Sequence, residues 1–457
     1  MSTPFFQKQT SPPYCYGVIG LGSTGCSVVR FLADRGFSIV AMDTRNEPSL
    51  YNNLQIEYPN IPFVVGALDY DLLKSCEEVV VSPGVALEHP TLQRLKENGT
   101  KLIGDIELFI RYVDAPFIGI TGTNGKTTVT TMVDSMLINS GVRCVTGGNL
   151  GIPALDLLGQ HPKPDLYVLE VSSFQLLLVS SFSAELSCVL NITPDHLDRH
   201  HTFEQYQEAK LSILEFAKTA LVNLDDRYMA NFVTSGKKVG FFDSLPTNDS
   251  YGIRTENDRK ILCDRNNDFL AVDELQISGS HNELNALAAL AICSEYLGVV
   301  PQTALEVLKK FVGLPHRMEK IAVIKGVAFV NDSKATNLAA AEASISCLMS
   351  THRGIVILGG DSKHAQFETL ATFLSHYAHT AILIGQAAAK IEMVLVDLVH
   401  CITVYDMSAA VTKAFNQAKP GETVLLAPGC SSFDMFDDYA HRGNVFKEAV
   451  MSLEAVA

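Results

Sequence analysis

Gly119-Ile120-Thr121-Gly122-Thr123-Asn124-Gly125-Lys126-Thr127-Thr128 joins an apolar run, PFIGIT (116–121), to the helical pattern TTVTTMVDSMLINSG. A glycine-rich turn that opens a helix offers several backbone N–H groups to phosphate oxygens. Gly122, Thr123, Asn124, Gly125, Lys126, Thr127 and Thr128 are therefore candidate ATP contacts. Lys126 supplies a point charge for the β and γ phosphates, and Thr127 a hydroxyl for Mg²⁺. The fit to GxxxxGK[ST] is incomplete, because Ile120 stands at the first glycine position. The competing reading is a tight strand-to-helix turn with an exposed lysine.

Outward from this turn, short Val/Ile/Leu runs alternate with helical patterns along the 457 residues, which predicts parallel, doubly wound α/β sheets. YCYGVIGLG (14–22), FSIVAMD (37–43) and EEVVVSPG (77–84) are expected as strands of a first unit. PFIGIT, LYVLEVSS (166–173) and LSCVLNIT (186–193) belong to a second; GVAFVNDS (326–333), GIVILGGD (354–361), TAILIG (380–385) and TVLLAPG (423–429) to a third. Pro116 and Gly313-Leu314-Pro315 punctuate the seams. The polar stretch 243–268 is expected as surface hairpins or loops. Most strands end in a small polar cluster, and in open α/β sheets ligands bind beyond the strand carboxyl ends.

The formal net charge of −15 argues against a non-specific nucleic-acid binder. Ten cysteines without a CxxC pair read as reduced thiols. No signal-peptide pattern opens the chain, and charges interrupt the longest apolar stretches. The expected setting is the cytosol, without membrane insertion, and the chain is read as a monomer.

Further residues invite chemistry. Gly20-Leu21-Gly22-Ser23-Thr24-Gly25 with Asp43 matches a diphosphate-binding fingerprint, serving a nicotinamide dinucleotide or a UDP-sugar equally; glycines required only for close packing are the alternative. Glu170 ends a buried strand, where a carboxylate needs a cation such as magnesium or an ion-pair partner. His196 lies in a ligand-dense turn, NITPDHLD (191–198). In FEQYQEAKLSILEFAK (203–218), Lys210 falls on one helical face with Phe203, Tyr206, Ile213, Leu214 and Ala217, so it is either snorkelling or functional. Arg317, Lys334 and Lys363 stand beside turns or strand ends, and Lys363 suits a substrate carboxylate.

GITGTNGKTT, GGNLG (147–151), LEVSSFQL (169–176), NITPDHLDRH (191–200), EAKLSI (208–213), SGSHNELNALAA (278–289), GLPHRME (313–319), NDSKATN (331–337) and LGGDSKH (358–364) together resemble the Mur ligases, in that family's order. The resemblance extends, toward the D-glutamate-adding branch, to GLGSTG, MDTR (42–45), VSPGVALEHP (81–90), GDIELF (104–109) and PGCSSFDMFDDYAHRGNVF (428–446). It implies a Rossmann-like UDP-substrate domain (1–112), a central P-loop ATP domain built on a parallel sheet (113–314) and a Rossmann-like amino-acid domain (315–457). The implied reaction is ATP-dependent amide formation between UDP-N-acetylmuramoyl-L-alanine and D-glutamate through an acyl phosphate, in peptidoglycan precursor synthesis. By resemblance, Ser23, Thr24, Asp43, Thr44, Arg45 and Gly84 hold the uridine diphosphate, and Asn149 and His196 approach the muramoyl-alanine end. Asn285, Arg317 and Asp332 complete the ATP site. Thr127, Glu170, His196 and a carbamylated Lys210 serve two Mg²⁺ ions, and Thr336, Lys363, Ser432 and Phe433 form the D-glutamate pocket. Lys126, His196, Lys210 and Lys363 are the expected catalytic set. A nicotinamide oxidoreductase would leave the second phosphate loop unexplained, a folate-type ligase should lack GLGSTG, and a non-catalytic nucleotide binder would not need Glu170, His196 and Lys210 together.

Overall fold

A computed structural model describes residues 14–159, 162–180, 182–247, 249–349, 353–362 and 367–456. Lys363 and His364 of the LGGDSKH motif lie outside the described residues. Three sheets follow one another along the chain.

The first runs in the order β3-β2-β1-β4-β5, with β1 Tyr14–Ile19, β2 Ile39–Asp43, β3 Phe63–Val65, β4 Cys76–Val81 and β5 Lys101–Ile103, all parallel. The interior strand β2 is buried at all five positions and apolar up to its final Asp43, as expected of a strand covered on both faces. Sequence patterning finds β1, β2 and β4 but not β3 and β5, which are three-residue edges with partly exposed side chains. Such short runs carry no readable period.

The second sheet has nine strands in the order β14-β13-β12-β11-β10-β9-β6-β8-β7. These are β6 Phe117–Thr121, β7 Cys144–Gly148, β8 Leu166–Glu170, β9 Leu186–Val189, β10 Thr219–Asn223, β11 Lys237–Phe242, β12 Ser250–Glu256, β13 Arg259–Asp264 and β14 Asp268–Ala271. β12, β13 and β14 pair antiparallel and extend the otherwise parallel sheet. The hairpin expected within 243–268 is present as β12–β13, but it is not confined to the surface. Tyr251, Ile253, Leu262 and Leu270 are buried in the same core as the helix Lys126–Asn139. Polar residues in this stretch occupy the turns and the outer face, and their number masks the alternation beneath.

The third sheet, β15-β16-β20-β17-β18-β19, comprises β15 Glu319–Ile324, β16 Val327–Asn331, β17 Gly354–Gly359, β18 Ala378–Ile384, β19 His400–Thr403 and β20 Thr423–Leu426. Only the β15–β16 hairpin is antiparallel. The helix expected over 203–218 is shorter than its pattern suggests. It stops at Leu211 and tightens into a 3₁₀ turn, Ser212–Leu214, so that the chain can enter β10 at Thr219.

Candidate active site

The end of β1 opens into a cleft of about 690 Å³ between the first and second sheets. Ser23, Thr24, Asp43, Thr44, Arg45 and Gly84 line it from one side, Asn149 and Gln175 from the other. Two glycines of GLGSTG do different things. A Cβ on Gly25 would fall 1.6 Å from the Gly20 carbonyl oxygen, so that glycine serves close packing. A Cβ on Gly22 would meet nothing within 4 Å, so the backbone there is bare. Asp43 accepts the Leu21 amide at 2.6 Å and the Arg45 guanidinium at 2.8 Å. Burial pushes this carboxyl up, but the Arg45 and Leu21 hydrogen bonds outweigh it and hold it below its usual value. At neutral pH it is an anchored carboxylate.

Between the second and third sheets lies a cavity of about 340 Å³, bordered by Asn124, Gly125, Thr128 and Asn285 from one and by Arg317 and Asp332 from the other. Gly122 and Thr123 stand beside it in the loop that follows β6, and Lys126 and Thr127 open the helix after that loop. The loop is stapled to the 191–193 turn. Asn191 Oδ1 accepts the Asn124 amide at 2.8 Å, the Asn191 carbonyl accepts the Thr123 amide, and the Thr123 hydroxyl meets Tyr206 at 2.9 Å. The amides of Thr123 and Asn124 are thus spent inside the protein. The helix begins at Lys126, which leaves the amides of Lys126, Thr127 and Thr128 without intrahelical acceptors and free to meet an anion. Gly125 adopts φ +84°, and a Cβ there would approach Asn285 Oδ1 to 2.4 Å. That glycine is required twice over.

The sharpest feature is a shared acceptor. Lys126 Nζ and Lys210 Nζ each donate to the carbonyl oxygen of Gly122, both at 2.8 Å. Lys210 is 2% exposed, with its Nζ 4.8 Å from the Tyr206 ring centroid. Burial, and then the Lys126 charge, drive its pKa well below the usual lysine value; Asp195 and Glu170 oppose this. Lys126 is lowered as well, chiefly by burial. Lys126, Lys210, Glu170, Asp195 and Arg317 therefore form one electrostatic cluster. Glu170 ends β8 with Oε1 accepting from Asn149 Nδ2 at 2.7 Å, while its buried Oε2 has no hydrogen-bond partner. His196 sits in the left-handed region at φ 54°, its ring 4.9 Å from that of Phe174.

On the third sheet, Asp332 accepts the Met318 amide at 3.1 Å and the Ser344 hydroxyl, and burial raises its pKa despite them. Thr336 follows in the turn after β16. Ser432 is buried and its carbonyl accepts the Met435 and Phe436 amides, while Phe433 is 72% exposed. Arg442, fully buried, joins the two segments. It donates to the Ser333 hydroxyl and carbonyl at 2.9 and 2.8 Å, and to the Cys430 and Ser431 carbonyls at 3.1 and 3.2 Å. Burial lowers its guanidinium to about 10, so it remains charged. Sequence reasoning missed Arg442, although it heads a buried stripe with Phe446 and Val450 at helical spacing, the same signal that singles out Lys210. It also missed Asn191, Gln175 and Arg199, whose roles depend on long-range partners.

All ten cysteines are free thiols. Among the described residues no helix is long and apolar enough to cross a membrane.

Two glycine-rich turns that open toward clefts between consecutive sheets, with a buried lysine and a half-satisfied carboxylate beside one of them, fit a nucleotide-dependent enzyme. Residues 16–104 match the Mur ligase MurD-like N-terminal domain, 120–293 the Mur ligase middle domain, and 316–430 the Mur ligase glutamate ligase domain. The chain belongs to the Mur ligases. It is 41% identical to the UDP-N-acetylmuramoylalanine–D-glutamate ligase of Legionella pneumophila strain Paris, over 96% of this chain and 99% of that one. It is 43% identical to the Pseudomonas syringae pv. tomato ligase of the same name, over 95% and 97%. Its fold is similar to that of a pseudomurein peptide ligase type C from Methanothermus fervidus, with a TM-score of 0.64 at 22% identity, covering 96% and 99%. It is also similar to a MurF ligase from Thermotoga maritima in complex with ADP, with a TM-score of 0.60 at 17% identity, covering 83% and 96%.

Proposed function

We propose that this chain joins D-glutamate to UDP-N-acetylmuramoyl-L-alanine at the expense of ATP, as the name of its curated relatives implies. The observation that carries the reading is their 41–43% identity over 95–96% of the chain, which spans every cleft described above. On this reading residues 1–112 bind the UDP substrate, 113–314 bind ATP and 315–457 bind D-glutamate, in the cytoplasm. Ser23, Thr24, Asp43, Thr44, Arg45, Gly84 and Asn149 hold the UDP substrate. The phosphate loop with Asn285, Arg317 and Asp332 holds ATP. Thr336, Lys363, Ser432 and Phe433 receive the amino acid.

An oxygen of the alanyl carboxylate attacks the γ-phosphorus as the bond to ADP breaks, giving an acyl phosphate. The amine of D-glutamate then attacks the acyl carbon, the bond to phosphate breaks, and the amine gives up a proton. Both steps bring anions together. On this reading Lys126 and the first amides of its helix hold phosphate charge.

The residues present fit magnesium. Glu170 Oε2 is buried and unpartnered, and Thr127 and His196 offer further donors. Among the described residues no three His, Cys, Asp or Glu side chains cluster for a metal. On this reading a carbamate on Lys210 supplies an anionic oxygen ligand, because burial shifts that lysine toward the neutral form, which is the form that reacts with carbon dioxide. Bound magnesium neutralises charge on the transferring phosphoryl group.

The test is phosphate release with each candidate amino acid. Release should require ATP, Mg²⁺, the UDP-muramoyl-alanine substrate and D-glutamate together. Equal turnover with L-lysine or diaminopimelate sinks the assignment.

A further inference from the structure

We propose that Asn337 is a positioning residue that sets the register of the amino-acid unit on the phosphate loop, and that it serves amine attack rather than phosphoryl transfer. This rests on the ligase reading above. Asn337 follows Thr336 directly and precedes the helix Leu338–Met349. Its Oδ1 accepts the Ala340 amide at 2.9 Å and so caps that helix. Its Nδ2 donates to Asp195 Oδ2 at 3.0 Å and faces Asn124 Oδ1 at 3.4 Å. Flipping the amide would set an oxygen against a carboxylate and an N–H against an N–H, so its orientation is chemically determined.

Both partners are themselves fixed. Asn124 is clamped by Asn191 through its amide at 2.8 Å and its carbonyl at 3.0 Å. Asp195 Oδ1 accepts the His196 amide at 2.9 Å. One side chain therefore spans from the segment bearing Thr336, where the amine is to be held, to the loop where the acyl phosphate is to form.

The phosphate loop does not depend on this contact for its own shape, because Asn191, Thr193 and Tyr206 staple it from within the second unit. Arg317 and Asp332 stay near the covalent seam at 313–315, with Asp332 tied to the Met318 amide. Losing Asn337 should loosen the amine's seat and spare the nucleotide's.

Two variants separate latch from cap. Asn337→Ser keeps a capping oxygen but cannot reach Asp195. Asn337→Asp keeps the cap and places a carboxylate against a carboxylate. For Asn337→Ser, kcat/KM for D-glutamate should fall about 10- to 100-fold, the range for a lost hydrogen bond to a charged group. UDP-substrate-dependent ATP–ADP exchange without D-glutamate should stay within about threefold. Asn337→Asp should fall further, and combining it with Asp195→Asn, which exchanges donor and acceptor, should recover about tenfold. Unchanged D-glutamate kinetics in Asn337→Ser, exchange falling in parallel with ligation, or a double variant no better than Asn337→Asp each overturn the proposal. A substrate-free readout stands beside these. The distance between spin labels at exposed Asn139 and Lys413 should broaden in Asn337→Ser, and an unchanged distribution also overturns it. Wild-type protein that ignores D-glutamate overturns the ligase reading instead, and the label distances still decide the latch.

Discussion

Lys210→Ala is the most informative perturbation. Two amines share one carbonyl oxygen at 2.8 Å each, so their nitrogens are at most about 5.6 Å apart. At an effective dielectric of about 20, two ammonium charges at that separation repel by about 3 kcal/mol. Burial, the larger cause, acts in the same direction, and the two together shift Lys210 toward the neutral amine. If that amine carries a carbamate, Lys210→Ala removes an anion and should cost roughly 10²-fold or more in kcat, the scale of losing one preorganised electrostatic group. Acetate or formate should partly restore turnover by entering the gap, whereas Lys210→Arg, which fills it, should not be rescued. Independently of turnover, labelled bicarbonate should give a carbamate carbon signal in wild-type protein that is missing from Lys210→Ala. Normal turnover of Lys210→Ala in bicarbonate-free buffer, or no carbamate signal in the wild type, refutes the reasoning.

Lys126→Ala should lose roughly 10²-fold or more in turnover while UDP-substrate binding, followed by calorimetry, stays intact; near-normal turnover would place the ATP site elsewhere. Gly25→Ala forces a Cβ to within 1.6 Å of a carbonyl oxygen and should destabilise the first unit by at least about 3 kcal/mol, with ATP affinity preserved. Burial lifts Asp105 from 3.8 to about 6, with Gln175 Nε2 donating to it at 2.9 Å and its other oxygen unpartnered. A folded pKa above the unfolded one means the folded state binds the extra proton. Stability should therefore fall by about 3 kcal/mol as pH rises from 3.8 to about 6, and Asp105→Asn should flatten that part of the denaturation profile. An unchanged slope in the variant would locate the titration in another group.

The parallel α/β architecture was legible because β2, β6, β8 and β17 are buried throughout and β1 over its second half, with mostly apolar residues. The edge strands β3 and β5 are too short to show a period, and the β12–β14 extension hides its buried face under polar turns. Site residues read well where chemistry and spacing coincide, as in the phosphate loop, or where a charge interrupts an apolar stripe, as Lys210 does. Residues that act through distant partners did not read. Nothing local reveals that Asn191 clamps a loop 67 positions away, or that Arg199 donates to the Pro83 and Val85 carbonyls of the first unit. Those roles exist only once distant segments of the chain are packed together.

Arg442 bears on how this protein can change over time. Three of its four acceptor atoms are main-chain carbonyls, lent by Ser333, Cys430 and Ser431. A carbonyl persists whatever side chain its residue carries, so Cys430 can drift among small side chains without disturbing the contact. The arginine has no such latitude, because a lysine in its place offers fewer donors and lacks the planar fork that reaches two backbone segments at once. Mutational tolerance here should be one-sided, with the guanidinium held strictly and small replacements of Cys430 leaving these hydrogen bonds in place. A scan of single substitutions would therefore mark the buried cation and overlook most of what it holds.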